Sequence, residues 1–390
     1  MRIVKKTKHE KNILILTTIS GFVQKFEMND IQILQETGWN IHYASNFDNP
    51  IYECDRKQLD VLNIICHNIP IQKSPFAVRQ NAKALKEILH IIKECRIDAI
   101  HCHNPVGGVL GRIASWISKR HPYVIYTAHG FHFYEGAPGV NWMLYYPTER
   151  LLAHSTNQII TINQEDYRNA GKFRLRRNGK VTQIPGVGLC RDRFYKDNSK
   201  RIRMRETLGL AEDQFFLLSV GELNENKNHV TVIRSLEKLH NKNLVYGICG
   251  EGPDRDKLEQ LIKELHLEKQ VFLYGYQKQI VDYYQAADCF VFPSIREGLG
   301  MASVEAMSCG LPLIVGDNRG TREYARENAI VCKPKDIVGF SCAIMKLYTE
   351  RQTRIRMALE SDRLADRFSI DETDKIMRNV YRQMENEIFI

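Results

Sequence analysis

No stretch of this chain stays apolar long enough to cross a bilayer. The longest apolar runs, Ile13–Leu16 and Leu311–Val315, fall far short of the ~20 residues a spanning helix needs. None of the ten cysteines forms a C-x-x-C pair. Several lie inside apolar runs, where a thiol packs as a small hydrophobe, and this usage suits a reducing cytosol. No repeat of 20–50 residues and no low-complexity tract is visible. The net charge is +9, yet no zinc-finger spacing or aromatic RNP-type motif accompanies the basic residues, so nucleic acid is not the expected partner. One absence is local. Between Arg296 and Arg319 there is no lysine or arginine, although Glu297 and Glu305 both fall there. Burying an unpaired carboxylate is costly, so something outside that stretch must satisfy them.

What is present is the composition of an ordinary globular protein, 43% hydrophobic and 26% charged over 390 residues, enough for two domains. The opening MRIVKKTKHEKNILILTTI places basic residues before a short apolar run. It reads as a first β-strand, because the run is short and no small-residue cleavage site follows. Basic clusters at Lys172–Lys180 and Lys196–Arg205 suit either a solvated inter-domain linker or contact with an acidic membrane surface.

Strand and helix patterns alternate. Strands are expected at Asn12–Thr17, Asn40–Ala44, Asp98–Cys102, Tyr123–Thr127 and Gln158–Ile162, with helices at Glu27–Glu36, Arg79–Cys95 and Gly108–Lys119. After the basic region the rhythm restarts. Strands Phe215–Val220, Leu244–Cys249, Val271–Tyr274, Cys289–Pro293 and Leu311–Val315 alternate with helices Val230–Leu239, Arg255–Leu265, Ile280–Ala287 and Ala302–Cys309. A separate helix is expected at Asp371–Glu387. Such alternation implies α/β architecture: two Rossmann-like, doubly wound parallel-sheet domains facing across a cleft. The expected boundaries are 1–187 and 188–369, with the terminal helix 370–390 returning to the first domain.

In open α/β sheets ligands sit beyond the carboxyl ends of the strands. Glu297 lies there, after the strand CFVFP. Gly298 and Gly300 let a ligand approach the backbone, and the helix start around Gly300–Ser303 offers free amides to an anion. Glu305 follows one turn on. A carboxylate accepts two hydroxyls at once, so a ligand with vicinal hydroxyls and phosphate, a sugar nucleotide, would meet both needs. In GELNENKN, Lys227 can offer a point charge to a diphosphate. Asp254 and Asp256 spell D-x-D but sit at a helix start, where acids favour the dipole. His101, His103, His129 and His132 have no third ligand convincingly spaced. No metal and no cofactor is expected. The aromatic segment Phe131–Leu152 suits either a core loop and helix or a membrane-facing surface.

With these motifs on view, the sequence resembles the retaining, GT-B-fold glycosyltransferases of family 4. The match covers nearly the whole chain, and Glu297 to Val315 follows that family's E-x7-E signature. HCHNPVGGVLGRIA, YTAHGFHFYEGAP and VGELNENKNH are similar to bacterial capsule and exopolysaccharide transferases. The resemblance implies transfer of a hexosyl unit from a nucleotide sugar, a UDP-sugar, to a polyprenyl-diphosphate-linked saccharide at the cytoplasmic membrane's inner leaflet, by a cytoplasmic enzyme peripherally bound there. It implies catalytic roles for His129, Glu297 and Lys227. It implies donor contacts at Gly21, Gly221, Lys227, Tyr274, Glu297, Gly298, Leu299, Gly300, Met301, Ala302 and Glu305. The turn Gly250–Pro253 resembles the family's G-x-G-P. Glu222 stands where many members carry a basic residue, which reduces the cations available to the phosphates. Two alternatives stay open: a UDP-sugar 2-epimerase of the same fold, and a non-catalytic, membrane-associated polysaccharide assembly protein.

Overall fold

The computed structural model describes residues 10–389 except Asn49 and Ile51; the basic residues expected to precede the first strand lie outside them. The chain divides into two units, Met1–Val187 with Thr373–Ile390, and Gly188–Glu372.

The first unit is built on seven parallel strands: β1 (Lys11–Leu16), β2 (Trp39–Ser45), β3 (Ile65–Asn68), β4 (Ala99–His103), β5 (Tyr123–Ala128), β6 (Gln158–Thr161) and β7 (Lys180–Gln183). Their order is β3-β2-β1-β4-β5-β6-β7. Its helices are α1 (Phe22–Phe26), α2 (Met28–Glu36), α3 (Arg56–Val61), α4 (Val78–Glu94), α5 (Pro105–Ile117), α6 (Gly139–Ala153) and α7 (Gln164–Ala170). In β1, Asn12–Leu16 are all buried, and β4 and β5 are buried throughout. A parallel strand covered on both faces reads as such an uninterrupted run. On α4 the buried positions Asn81, Ala84, Ile88, Ile91 and Ile92 fall three and four apart, the stripe of an amphipathic helix. Strand order reverses between β1 and β4, so their C-terminal loops are neighbours; the Thr18 amide donates to Asn104 Oδ1 at 3.2 Å.

The second unit repeats the plan with β8 (Phe215–Val220), β9 (Leu244–Cys249), β10 (Val271–Gly275), β11 (Cys289–Phe292), β12 (Leu313–Gly316) and β13 (Ala329–Cys332). The order is β10-β9-β8-β11-β12-β13, and the reversal falls between β8 and β11. The helices are α8 (Asn198–Thr207), α9 (His229–Leu239), α10 (Arg255–Glu264), α11 (Ile280–Ala286), α12 (Met301–Ser308), α13 (Ile337–Thr349) and α14 (Arg351–Ala365). The final helix, α15 (Ile370–Phe389), belongs to the first unit from Thr373 onward. There Arg378 pairs with Glu36 at 2.7 Å, and Lys11 pairs with Glu385.

Helices α3, α7, α13 and α14 were not expected, and two further features depart from the sequence reading. The cluster Lys196–Arg205 is not a solvated linker. It forms most of α8, whose Arg201 and Arg205 grip Asp288 at 2.6 and 3.1 Å. The same guanidiniums donate to the carbonyls of Ala286, Ala287, Ala211 and Gln214. The charges of Arg201 and Arg205 are spent inside the unit, while Lys196 and Arg203 stay exposed. The strands missing from the reading, β3, β7 and β13, all lie at sheet edges. Strands β3 and β7 carry polar residues at alternate or more positions and give no apolar run, whereas β13 (AIVC) is apolar but only four residues long.

Arg112 of α5 is fully buried. It donates to Glu149 of α6 at 2.6 Å and to the Gly108 carbonyl at 2.7 Å, and lies 4.1 Å over the Tyr126 ring. Removing one partner of a buried pair strands the other charge. Glu149→Leu is therefore expected to cost about 3–5 kcal/mol in urea unfolding, and the double variant with Arg112→Met to cost less than that single change. Equal losses would mean that Glu149 does not neutralise Arg112.

Candidate functional site

The second unit's site grows from its strand reversal. The loops after β8 and β11 are neighbours, and backbone and side-chain bonds lock them together. The Ile295 amide donates to the Asn226 carbonyl at 2.8 Å, Asn226 Nδ2 to the Arg296 carbonyl at 2.9 Å, and Asn228 Nδ2 to the Pro293 carbonyl at 3.1 Å. This brings Lys227 onto Glu297, with Nζ to Oε1 at 2.6 Å. The ammonium also stands 4.8 Å from the centroid of Phe292. Both side chains keep some solvent contact, 19% for Lys227 and 13% for Glu297. Lys227 thus supplies the cation absent from the stretch around Glu297. Arg319, the next cation in sequence, donates to the Glu297 backbone oxygen at 3.3 Å.

Glu305 finds a different partner. The Tyr284 hydroxyl donates to its Oε2 at 2.8 Å and lies 3.1 Å from the Ala302 carbonyl. Burial, then the nearby Glu305 carboxylate, raise the Tyr284 hydroxyl well above its ordinary pKa, so it remains a donor. Neither partner was legible as such: Tyr284 lies on α11 and had no role in the sequence reading.

Glycines shape the loops. Gly221 sits under Lys227, whose Cε would be 3.1 Å from an added Cβ, and a Cβ on Gly250 would run into the Gly221 carbonyl. Gly300 caps α12 with φ 90°. Met301 and Ala302 open that helix, Leu299 is buried just before it, and Gly298 completes the turn. Tyr274, the penultimate residue of β10, is half-buried and packed 5.2 Å from the Tyr283 ring. Glu222 is exposed.

The first unit has its own cluster, also at the strand reversal. Gly21 follows β1 with φ 75°, and a Cβ there would meet the Glu53 carbonyl at 2.6 Å. His103 ends β4 and His129 follows β5, with His103 Nδ1 3.3 Å from His129 Nε2. Sequence reasoning missed the carboxylate that joins them: Glu27, between α1 and α2, puts Oε1 3.4 Å from His103 Nδ1 and 4.0 Å from His129 Nε2. Only the fold makes them neighbours. The three donor atoms are mutually close enough to share a proton or a small cation. His42, His67 and Cys95 form a second such group. His132 instead packs on Tyr145, 4.7 Å between ring centroids. Asp256 lies in the first turn of α10, as expected for a helix-start acid.

Comparison with known proteins places this geometry. The family described as "Glycosyl transferases group 1" matches residues 200–362, and "Glycosyl transferase 4-like" matches residues 12–163. The Bacillus subtilis (strain 168) protein named "Putative glycosyltransferase EpsD" is 37% identical over 379 residues, 95% of this chain and 96% of that one. The UDP-Gal:alpha-D-GlcNAc-diphosphoundecaprenol alpha-1,3-galactosyltransferase of Escherichia coli is 25% identical over 97% of this chain and 99% of its own. HepE of Anabaena, solved in complex with UDP, superposes with a TM-score of 0.77 at 20% identity, over 96% of this chain and all (100%) of that one. Sucrose-phosphate synthase of Thermosynechococcus elongatus gives 0.80 at 17% identity, covering 97% and 100%.

His229, just after Lys227, donates or accepts at the Tyr246 hydroxyl, 3.1 Å away. Burial, then the Lys227 charge, lower its pKa to about 3. The unfolded imidazole takes up a proton near pH 6.5 that the folded one refuses. Its stabilising contribution is full above pH 6.5 and drains away as pH falls toward 3. Between pH 7 and 4.5, His229→Gln is expected to lose about 2 kcal/mol less stability than the wild type, by urea midpoints at both pH values. Parallel losses would mean His229 is protonated in the folded chain.

Proposed function

The chain belongs to the GT-B glycosyltransferases, and on that premise we propose that it is a retaining hexosyltransferase that uses a UDP-sugar to extend a lipid-diphosphate-linked glycan in capsular or exopolysaccharide assembly. The observation that carries this reading is the Lys227–Glu297 pair at the strand reversal, with Glu305 one turn into α12. The Escherichia coli relative, whose name specifies a UDP-Gal donor and a diphosphoundecaprenol-linked acceptor, supports the substrate classes. The UDP complex of HepE supports the nucleotide.

In this reading Glu305 accepts the ribose hydroxyls, and the amides of Gly298–Ala302 hold the diphosphate and sugar. Lys227 turns from Glu297 to the diphosphate, where negative charge grows as the glycosidic bond breaks. Glu297 is then free to accept hydroxyls of the transferred sugar. His129 donates to that sugar, Gly21 and Gly221 leave room for the phosphates, and Tyr274 borders the base. The bond from the anomeric carbon to the phosphate oxygen breaks while the acceptor oxygen bonds on the same face. The departing phosphate oxygen takes the acceptor's proton, so no protein nucleophile is needed. With Lys227 and helix amides supplying the positive charge, no metal is required.

Helix α6 supports an acceptor carried in a membrane. Val140, Met143, Leu144 and Leu151 are 64%, 81%, 53% and 71% exposed and recur along one helical face. Arg150 flanks the face, while Trp142 turns to the other side of the helix against Phe133 and Tyr146. An exposed apolar face flanked by a cation suits the bilayer interface, a surface occupied without crossing it; among the described residues no helix is long and apolar enough to cross a membrane.

Calorimetric titration with UDP-, GDP- and ADP-sugars, without metal, is expected to show one nucleotide class binding, with affinity about 10–100-fold weaker in Glu305→Ala. Binding of no nucleotide sugar by the folded wild type would overturn the reading. The anomeric configuration of the donor is expected to persist in the product, read by NMR coupling constants. An inverted product would rule out the retaining mechanism, and conversion of the donor with no acceptor present would mark an epimerase.

A further inference from the structure

Two histidines and a cysteine of the first unit take no part in the proposed transfer. Strands β2 and β3 pair in parallel, with His42 opposite Ile65 and Ala44 opposite His67. Residues opposite each other or two apart share a face of a sheet, so His42 and His67 stand on the same face as Ala44. Ala44 packs in one core with Ala84, Ile88, Ile91 and Ile92 of α4, which makes this the face that α4 covers. That helix connects β3 to β4 and so returns toward the amino ends of the parallel strands. It ends on Cys95, whose amide donates to the Ile91 carbonyl. Three elements thus bring one ligand atom each, from His42, His67 and Cys95, within 4.8 Å of one another. His42 is mid-strand in β2 and Cys95 precedes β4, so the group lies away from the carboxyl ends that carry Gly21, His103 and His129.

The chemical states follow from burial. Burial, then the charge of His67, lower His42 to about 4, and burial lowers His67 as well. Both rings are therefore neutral at pH 7. His42 Nδ1 faces His67 Nε2 at 2.9 Å, with the ring planes 17° apart. One of these nitrogens carries a proton and the other accepts it. Burial raises the Cys95 thiol, which stays S–H. A bond between the two rings satisfies both facing nitrogens, yet it gives the sulfur beside them no role. His42 is buried, whereas His67 and Cys95 are half-buried, so the group is reached from solvent.

We propose that His42, His67 and Cys95 bind a divalent cation of the zinc class, which fastens the end of α4 to the edge of the sheet. Two imidazoles and a thiolate are donors that Zn2+ takes and that Mg2+ and Ca2+, which prefer oxygen, do not. Tetrahedral Zn2+ with Zn–N bonds of ~2.0–2.1 Å sets its two nitrogens ~3.3 Å apart, so the rings need to part only slightly. The sulfur closes in as the third ligand, and water from the solvent side fills the fourth position. The protons balance. The one between the rings passes through solvent to the far nitrogen of its own ring. The thiol gives its proton to solvent, so one proton leaves for each cation bound. The inference does not depend on the proposed transfer reaction.

The test is titration of the reduced full chain with Zn2+ against a chromophoric chelator of micromolar affinity, repeated with Co2+ as a spectroscopic probe. One tightly held Zn2+ per chain is expected, with release of one proton at pH 7, read from binding heats in buffers of different ionisation enthalpy. The Co2+ complex is expected to show tetrahedral visible bands and a near-ultraviolet sulfur-to-cobalt transition. Cys95→Ser and His67→Gln, both at half-buried positions, are each expected to weaken Zn2+ binding at least ~100-fold, the upper end of what losing a ligand's supporting contact costs. Cys342→Ser, at an exposed cysteine, is expected to bind as the wild type does. Wild-type affinity in either Cys95→Ser or His67→Gln would overturn the proposal. So would a wild type that takes no Zn2+ from the chelator, or a Co2+ complex without the sulfur transition, since either would leave His42 and His67 as a hydrogen-bonded pair alone.

Discussion

The half-buried ion pair of Lys227 and Glu297, at 2.6 Å, is the constraint around which the second unit's site is built. A carboxylate at that depth needs a positive partner. Supplying one from 70 residues away requires the loops after β8 and β11 to lie side by side, which the strand reversal accomplishes. It also requires the two loops to hold still, and the bonds of Asn226 and Asn228 to the 293–296 backbone do that. The bareness of Gly221 and Gly250 follows, since the lysine stem and the neighbouring turn pass over them. In the proposed function the pair is a resting arrangement that a bound diphosphate reopens.

The first unit solves a similar problem without a cation. Glu27 and Asp30 are kept by protons and hydrogen bonds, with Tyr381 of α15 closing the network. The terminal helix is thereby more than a cover for the sheet. Its Tyr381 lies within hydrogen-bond reach of both Asp30 and His101, so the polar chain behind His129 depends on a residue about 250 positions further along.

The central strands of both sheets were legible because strands buried on both faces are mostly apolar, as in β1, β8 and β11. The turn from Ser294 to Gly300 was legible because glycines between a strand and a helix serve a particular geometry. Strands β3 and β7 were not, since their sequences ICHN and KVTQ mix polar and apolar residues, and β13 was not, being an apolar run of only four residues. Partnerships were harder still. Glu297 and Glu305 could be recognised as carboxylates in need, but Lys227 and Tyr284 became their partners only through the strand order. Glu27 carried no signal at all, being an ordinary polar residue at a helix start until the fold set it beside His103. The basic run Lys196–Arg205 misled for the same reason: charge in a sequence does not say whether it faces solvent or a buried aspartate such as Asp288.

The most direct measurement is the affinity of UDP, without a sugar, for the wild type and for Glu297→Gln. If Lys227 is held by Glu297 at rest and released to the diphosphate on binding, removing the competing carboxylate charge frees the lysine. UDP should then bind the variant at least as tightly as the wild type, while sugar transfer collapses. A variant that loses UDP affinity together with transfer would contradict the exchange, and would make the ion pair a structural brace rather than a resting state of the donor site.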